Sequence, residues 1–523
     1  MDPARRACIL RPEQAGEGGV GGQASFFEKS QPSFARLGAA TGRVAVIDVG
    51  SNSVRLVVFD GAARAPSYFF NEKMACGLGA AIARTGRLDE TGCALALATL
   101  RRFAELARLM NVSALDAVAT AAVREAEDGP AFRDAVEQAT GLRLRVISGD
   151  EEARLSALGV LLGEPGAEGA AADMGGASME LAQLAGGAVG ARLTLALGPQ
   201  RLAGLEGAAL DRRIEAELDR AAAVIDLAGR TLYVVGGSWR SVAKVQMARS
   251  NHPLQVLQGY RLDAAEAVET CGWIAAQTPD ALRALADISA GRAALAPLAA
   301  RVLGRLIARL RPAALSVSAF GVREGLYFER LPEALRRSDP LLEACAALER
   351  GQARFPGFGD ELSAWLEPIT AHWPEAERRL AHAACLLNDV NWRAHPDYRP
   401  VSCFETMTRG NLAGVDHPGR VFIGLAMMHR YGAGKRSLDA DATLALLEAS
   451  SAGRAKALGR AMRLGAMISA STPGALAQAR LEAAEGALTL TMGPSLEPLS
   501  GEMVSRRLGA LADALSLSAR LAG

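Results

Sequence analysis

Two stretches of the chain place an acidic residue just before a turn of small polar residues. Asp48 precedes the first turn and Asp173 precedes the second. The turn residues are Gly50, Ser51, Asn52 and Ser53 in the first stretch and Gly175, Gly176, Ala177 and Ser178 in the second. Successive backbone N–H groups in such a turn form a concave surface that suits phosphate oxygens. Because hard divalent cations bind carboxylate and phosphate oxygens, the two stretches predict metal-assisted phosphate chemistry.

Apolar, β-branched runs lie on both sides of each turn. They span residues 44–60 and 170–184, with a turn in the middle of each, and this pattern predicts two β-hairpins. A single hairpin of this kind is equally well explained by an ordinary polar turn. A second copy favours two related halves that face each other across a cleft, in which Asp48 and Asp173 share a metal ion.

Three consecutive acids open a predicted helix after a predicted strand at residues 143–148. They are Asp150, Glu151 and Glu152. Acids in a first helical turn commonly only cap the helix or complement its dipole. The alternative is that one carboxylate, delivered at the strand-to-helix junction, acts as a general base on a water molecule.

Two further features suit phosphate binding, although each also has an ordinary explanation. Arg124 follows a predicted strand at residues 115–120 and is either a solvated surface charge or a donor to a phosphate oxygen. Gly236 and Gly237 follow a predicted strand at residues 231–235 and open a helix, where a phosphate or a nucleotide can approach the backbone.

The order of these elements predicts the domain organisation. A chain of 523 residues is long enough for about three domains. We expect residues 1–42 to form a disordered tail, because they are rich in glycine and lack sustained periodicity. Strands and helices alternate over residues 43–168 and again over 169–335, which predicts two α/β domains. Residues 336–523 show helical periodicity and few strand signals, so we expect a helical domain there.

Charge, cysteine spacing and the distribution of apolar residues limit the partners and the cellular environment that we expect. The formal net charge is +1, from 58 basic and 57 acidic residues, so no global field recruits nucleic acid or a membrane surface. The seven cysteines are scattered without a CxxC pair, which is typical of reduced thiols in a cytoplasmic protein. The chain has no run of 18 apolar residues, so we expect no transmembrane anchor.

Six motifs in the chain, taken in order, resemble those of the exopolyphosphatase / guanosine pentaphosphate phosphohydrolase (Ppx/GppA) family. They lie at residues 47–53, 119–124, 147–154, 173–180, 235–237 and 322–325. The resemblance implies an α/β fold with two ribonuclease-H-like domains around a cleft, of the actin, acetate-and-sugar-kinase and chaperone superfamily. It also implies an all-α, HD-like domain at the C-terminal end, as in the long members of the family.

The resemblance also implies a role for individual residues. The general base falls on Glu152 and the phosphate-contacting arginine on Arg124. The acids associated with a divalent metal, Mg²⁺ or Mn²⁺, fall on Asp48, Asp173, Glu180 and Glu152. The phosphate-binding positions are the two turns together with Gly236 and Gly237.

Two positions depart from the family pattern. Ala177 stands where a third glycine is usual, and its methyl group is tolerable if the backbone φ is negative. Trp239 follows the Gly-Gly pair where small residues are usual, so we expect it to rim or block a nucleotide site.

The function implied is that of an exopolyphosphatase, which releases orthophosphate from the ends of inorganic polyphosphate. The alternatives are a pppGpp 5′-phosphohydrolase, which yields ppGpp from the same centre, and a non-catalytic sensor of polyphosphate or alarmone. A kinase of the same superfamily fits less well, because the Glu152 motif directs a base at water. The resemblance further implies a homodimer.

The C-terminal part departs from the HD pattern as well. Asn388-Asp389 stands where His-Asp is expected, and the loss of the imidazole ligand argues against a working second metal site. Basic residues are dense in this part and form either a solvated face or a channel for a long polyphosphate chain. They include Arg393, Arg399, Arg420, Arg430, Lys435 and Arg436.

Overall fold

The computed structural model describes residues 42–432 and 440–522. The chain divides into two compact units. The first contains the described residues up to Asn251 together with Leu257–Ser338, and the second contains His252–Val256 and the residues from Asp339 onward. The expected tail at 1–42 lies outside the described residues except for residue 42, and so do Lys435 and Arg436.

The first sheet of the first unit has five strands in the order β3-β2-β1-β4-β5. The strands are β1 (Arg43–Val49), β2 (Ser53–Phe59), β3 (Tyr68–Ala75), β4 (Val112–Ala119) and β5 (Arg145–Val146). The helices of this part are α1 (Ile82–Thr85), α2 (Glu90–Leu109), α3 (Ala121–Glu125), α4 (Gly129–Thr140) and α5 (Gly149–Gly163). Apolar side chains of β1 and β2 pack on α2 in a continuous core, which holds the end of β1 in a fixed place.

The second sheet of this unit has six strands in the order β10-β11-β9-β6-β7-β8. The strands are β6 (Gly169–Met174), β7 (Met179–Ala185), β8 (Ala188–Leu195), β9 (Thr231–Val235), β10 (Tyr260–Asp263) and β11 (Ala314–Val317). The helices are α6 (Pro199–Leu202), α7 (Gly207–Ala222), α8 (Gly237–Arg249), α9 (Ala264–Ala275), α10 (Pro279–Leu285), α11 (Ala290–Leu310), α12 (Val322–Arg330) and α13 (Glu333–Arg337).

The two sheets repeat one topology, and both predicted hairpins are confirmed. In the first sheet β1 pairs antiparallel with β2 and parallel with β4. In the second, β6 pairs antiparallel with β7 and parallel with β9. The registers agree as well, because Asp48 lies opposite Arg55 and Asp173 lies opposite Glu180, one residue pair from the turn in each case. The two acids therefore occupy equivalent places.

Helices α5 and α12 cross at a contact that only glycine permits. A methyl group at Gly325 would overlap the carbonyl oxygen of Leu155, and one at Gly159 would overlap the carbonyl oxygen of Gly321. Two glycines facing each other allow the helix backbones to approach closely. This crossing fixes the start of α5, which carries Glu152, relative to the start of α12, which carries Arg323.

The second unit is predominantly helical. Its helices are α14 (Pro340–Gln352), α15 (Phe358–Trp365), α16 (Glu367–Thr370), α17 (Glu375–Leu386), α18 (Arg399–Arg409), α19 (His417–Tyr431), α20 (Asp441–Leu444), α21 (Ala449–Ser469) and α22 (Glu502–Leu515). Short 3₁₀ turns occur at Leu476–Gln478 and Glu497–Leu499.

The expectation of an all-α C-terminal domain was wrong, because this unit also contains a three-stranded sheet. Its strands are β12 (Ala479–Ala484), β13 (Ala487–Met492) and β14 (Ser518–Ala522), with β12–β13 antiparallel and β13–β14 parallel. Alternating buried and exposed residues in β12 show the two-residue period of a strand. Frequent alanine, a good helix former, masks that period in the sequence.

The described residues contain no helix that is long and apolar enough to cross a membrane. The six cysteines in the described part of the chain are all buried.

Candidate functional site

The two turns of small residues have the same hydrogen-bonded geometry. The Gly50 N–H donates to the Ser53 carbonyl at 3.0 Å, and the Gly175 N–H donates to the Ser178 carbonyl at 3.0 Å. Between these bonds the described structure provides no protein acceptor for the next two amides of either turn. Those amides belong to Ser51, Asn52, Gly176 and Ala177. Each turn therefore offers two unpaired N–H donors, which is the property that a phosphate-binding turn requires.

Gln200 lies between the two turns. Its backbone N–H donates to the Gly176 carbonyl at 2.9 Å, and a methyl group at Gly176 would meet its Oε1 atom at 3.2 Å. A methyl group at Gly79 would meet the same atom at 3.3 Å, and Gly79 donates to the Ser51 carbonyl at 2.8 Å. The two turns thus lie on either side of one amide side chain, which the sequence analysis did not single out.

The three acidic side chains at the start of α5 lie in different environments. Ser148 caps the helix by accepting from the Glu151 N–H at 3.1 Å. Asp150 pairs with Arg192 at 2.9 Å, and Glu151 pairs with Arg154 at 2.8 Å, so both carboxylates are engaged at the surface. Glu152 is buried and accepts from Arg124 Nη1 at 3.2 Å. Of the three side chains, only that of Glu152 projects into the protein, where burial can shift the pKa of a carboxyl group toward the value that a general base needs.

Burial raises the pKa of Glu152 to about 7. The Arg124 guanidinium lowers it by its charge and its hydrogen bond, while Asp173 and Asp48 raise it further. A carboxylate with a pKa close to neutral is suited to accept a proton in the transition state and to release it again. Arg124 is held in place by a second hydrogen bond, from Nη1 to the Ile147 carbonyl at 2.8 Å.

Asp173 and Glu180, which are paired across the second hairpin, lie in the same electrostatic environment. Burial raises the pKa of Asp173, although Ser156 Oγ donates to its Oδ2 atom at 2.7 Å. Burial and the neighbouring Glu152 raise the pKa of Glu180 well above its ordinary range. Three carboxyl groups therefore disfavour one another's ionisation, and a cation among them would relieve that repulsion.

The donor set fits a divalent metal in one specific respect. Glu180 is 2% exposed, and its Oε1 atom is buried without a hydrogen-bond partner. A buried carboxylate oxygen without a partner is unfavourable, and it is the type of ligand that Mg²⁺ prefers. Within the described residues no three His, Cys, Asp or Glu side chains are grouped closely enough to hold an ion by themselves. The metal therefore stays a prediction.

Asp48 has a partner that the sequence analysis did not assign. Arg323 Nη1 donates to Asp48 Oδ2 at 3.0 Å, and Arg240 Nε donates to the Ser318 carbonyl at 2.9 Å. Burial and the charge of Arg323 lower the pKa of Arg240, while Asp173 raises it. Both arginines thus face the acids of the site. Arg323 lies inside the motif at 322–325, so its position was visible in the sequence although its role was not.

Three more cations extend from this centre. The pKa of Arg55 is lowered to about 10 by burial and by Arg323, and that of Lys73 is lowered by burial and by Arg292. Arg292 Nη1 donates to the Gly237 carbonyl at 3.2 Å. Cations that lower one another's pKa lie close enough together to attract a ligand with several negative charges.

The structure corrects the expectation for Trp239. Its side chain is 1% exposed, and its Nε1 donates to the Ala299 carbonyl at 3.1 Å in the core of the second sheet. In the first turn of α8 this position faces the core, so Trp239 does not rim or block a nucleotide site. Gly236 has φ +92°, and a methyl group there would meet Asp173 Oδ1 at 2.8 Å. Ala177 does not belong to the residues with positive φ, so its methyl group is tolerated as expected.

Two family models match the chain. The Ppx/GppA phosphatase family model matches residues 57–334, and the exopolyphosphatase C-terminal model matches residues 341–521. The first match covers more than half of the chain and includes Arg124, Glu152 and Asp173, although it begins after Asp48. The chain belongs to the Ppx/GppA phosphatase family.

The chain is also similar to named relatives. It is 32% identical over 163 residues to Exopolyphosphatase 1 of Mycobacterium bovis, a match that covers 31% of this chain and 47% of that protein. The chain thus spans about half the length of this relative. It is 28% identical over 310 residues to Exopolyphosphatase 2 of Mycobacterium tuberculosis, which covers 54% of this chain and 97% of that one. A solved exopolyphosphatase from Cytophaga hutchinsonii is 23% identical, with a TM-score of 0.49, and covers 55% of this chain and 97% of that chain.

Proposed function

We propose that this protein is an exopolyphosphatase that releases orthophosphate from the ends of inorganic polyphosphate. The observation that carries the proposal is the position of Glu152, a buried carboxyl group with a pKa of about 7, held by Arg124 beside two turns with unpaired amides. The names of the matched relatives agree with this activity.

In the proposed mechanism the chain's own groups position the terminal phosphate and a water molecule. The free amides of the two turns and the Arg124 guanidinium bind non-bridging phosphate oxygens, because both are donors suited to oxyanions. Glu152 Oε accepts a proton from the water as the water oxygen attacks phosphorus in line with the leaving phosphate oxygen. Such positioning and charge stabilisation supply most of the catalysis in phosphoryl transfer.

A divalent metal, Mg²⁺ or Mn²⁺, would supply Lewis-acid stabilisation of the developing charge. We propose that Glu180, Asp173 and Glu152 would hold it together with oxygens of the bound substrate, since these side chains are not grouped closely enough to hold an ion by themselves. Asp48, the fourth predicted ligand, is already paired with Arg323 at 3.0 Å. We therefore propose that Asp48 orients the Arg323 guanidinium toward the phosphate and is not a primary ligand of the metal ion.

The additional cations favour a long substrate over a single phosphate. Beyond the terminal phosphate, Arg55, Lys73 and Arg292 offer three charges without a carboxylate ion pair among the described residues. We propose that they bind the second and later phosphates of the chain.

We also propose domain identities for the two units. The repeated strand order supports two ribonuclease-H-like domains at residues 43–168 and 169–335, because each sheet lies entirely within one of these ranges. The helical content from residue 336 onward supports an HD-like domain that also contains a small sheet. A cytoplasmic homodimer is the proposed state, and analytical ultracentrifugation tests the dimer.

The test compares phosphate release from long-chain polyphosphate and from pppGpp, side by side, in the presence of Mg²⁺. We expect orthophosphate from polyphosphate as the faster reaction, with no short chains appearing early, because attack occurs at chain ends. Faster hydrolysis of pppGpp would instead make the protein a pppGpp 5′-phosphohydrolase. Binding of polyphosphate without hydrolysis would make it a sensor, and stoichiometric transfer to ADP or a sugar would make it a kinase.

A further inference from the structure

Gln200 lies between the two turns of small residues, and the mechanism above gives it no role. Its backbone is tied to the second turn, because its N–H donates to the Gly176 carbonyl at 2.9 Å. Two residues earlier, Gly198 lies so close to the peptide group between Ala177 and Ser178 that a methyl group there would overlap it. The base of the Gln200 side chain is therefore fixed relative to the second turn.

The side chain of Gln200 reaches the first turn as well. A methyl group at Gly79 would meet Gln200 Oε1 at 3.3 Å and the Cβ atom of Ser51 at 3.0 Å. The Gly79 N–H donates to the Ser51 carbonyl at 2.8 Å, so Gln200 and the first turn lie against the same glycine. The Gln200 amide is therefore next to both turns, each of which has two N–H groups without a protein acceptor.

The Gln200 side-chain amide makes no hydrogen bond to another group of the described residues, although the residue is only partly exposed. Gln183, which is also partly exposed and lies in the same unit, is fully engaged by comparison. Its Nε2 donates to the Gly169 and Asp226 carbonyls at 2.8 and 2.9 Å, and its Oε1 accepts from the Asp226 N–H at 3.0 Å. An amide has two N–H donors, and a ligand bound between the turns would give those of Gln200 an acceptor.

We propose that Gln200 is a phosphate-binding residue whose side-chain amide donates to a non-bridging oxygen of the phosphate held between the two turns. The inference rests on the proposed function, in which this phosphate is the terminal group of the substrate. Phosphate oxygens accept several hydrogen bonds each, so the backbone donors of the turns leave acceptors for the amide. Because an amide is neutral, it adds donors beside Asp48 and Asp173 without forming an ion pair with either acid.

Binding of inorganic orthophosphate in the presence of Mg²⁺, followed by phosphorus NMR line broadening, tests this role. Orthophosphate is not consumed, so the measurement does not depend on hydrolysis. Gln200→Met keeps the length of the side chain but removes both donors, and we expect about tenfold weaker binding from the loss of a hydrogen bond to a charged acceptor. Gln200→Glu keeps the shape but places a negative charge against the phosphate, and we expect a loss of at least about 100-fold.

Gln138→Glu is the matched control for the added charge. Gln138 is an exposed residue of α4 in the same unit, so this variant should bind orthophosphate as wild type does. Arg124→Gln should weaken binding, because Arg124 is proposed to contact the same phosphate. If Gln200→Met binds orthophosphate as tightly as wild type, Gln200 only fills the space between the turns and the proposal is overturned. Absence of binding by wild type would overturn it as well.

Thermal melting without ligand separates binding from a structural role. Gln200→Met should melt no lower than wild type, because the amide that it removes has no partner in the described part of the chain. A lower melting temperature with unchanged orthophosphate binding would overturn the proposal.

Steady-state hydrolysis of polyphosphate is the independent readout. In Gln200→Met the KM should rise about tenfold while kcat stays within about threefold, because the non-bridging oxygen is present in both the substrate and the transition state. A fall in kcat with unchanged KM and unchanged orthophosphate binding would contradict this. If wild type hydrolyses no polyphosphate but loses orthophosphate binding on Gln200→Met substitution, the proposed function fails and the phosphate contact of Gln200 stands.

Discussion

Replacing Glu152 with glutamine should stabilise the first unit while abolishing catalysis. A rise in pKa from the ordinary 4.5 to about 7 corresponds to roughly 3 kcal/mol of folding free energy. The unfolded chain ionises this carboxyl near pH 4.5, whereas the folded chain retains the proton until about pH 7. Stability is therefore lost as pH rises across this window, and the loss is complete above it.

A glutamine amide at this position has no charge to desolvate, so the substitution removes this pH-dependent cost. We expect Glu152→Gln to raise the free energy of unfolding by about 1 kcal/mol at pH 5 and by about 3 kcal/mol at pH 8. Urea denaturation of wild type and variant at the two pH values measures both differences. The glutamine side chain still accepts a hydrogen bond from Arg124, which keeps the local geometry comparable.

Glu151→Gln is the matched control. It makes the same substitution at the neighbouring residue, whose carboxyl pKa is shifted in the opposite direction. The hydrogen bond from Arg154 lowers the pKa of Glu151, although burial opposes it. This carboxylate stabilises the folded chain above its ordinary pKa and loses that effect as pH falls. Glu151→Gln should therefore be less stable than wild type at pH 8. If both variants shift stability in the same direction, the assignment of Glu152 as the desolvated acid is refuted.

Three further predictions follow from named contacts. The kcat/KM for phosphate release should rise with pH through a midpoint near 7, since the ionised form of Glu152 is the base, and a flat profile from pH 5.5 to 8.5 would contradict this. Gly325→Ala should cost at least about 2 kcal/mol in urea denaturation, because its methyl group would overlap the Leu155 carbonyl. Gly351→Ala, on a helix where a methyl group meets nothing, should be neutral or stabilising by up to about 1 kcal/mol. Trp239→Phe should lower stability but leave the ratio of polyphosphate to pppGpp hydrolysis unchanged, and a changed ratio would reinstate a nucleotide contact.

Local patterns predicted much of the first unit correctly. The hairpins at Asp48 and Asp173 are visible in the sequence because strand alternation and turn chemistry act over a few residues. The position of Glu152 was also predictable, since a capped helix start follows a strand there.

Contacts between distant residues were not predictable from one sequence. Arg323 and Asp48 are 275 residues apart in the sequence, so no local sequence pattern predicts their ion pair. The C-terminal sheet was missed because alanine-rich strands resemble helices in composition. Trp239 was misassigned because its neighbours, Gly236 and Gly237, suggested a ligand, whereas the direction of its side chain is set by the core beneath α8.

The most direct test of the account is phosphate release from polyphosphate by wild type, Glu152→Gln and Glu151→Gln under identical conditions. If Glu152 is the general base, its amide variant should lose at least about 100-fold in kcat. Glu151→Gln should stay within about threefold of wild type, because its carboxylate pairs with Arg154 outside the reacting centre. Equal activity of wild type and Glu152→Gln would contradict the central claim.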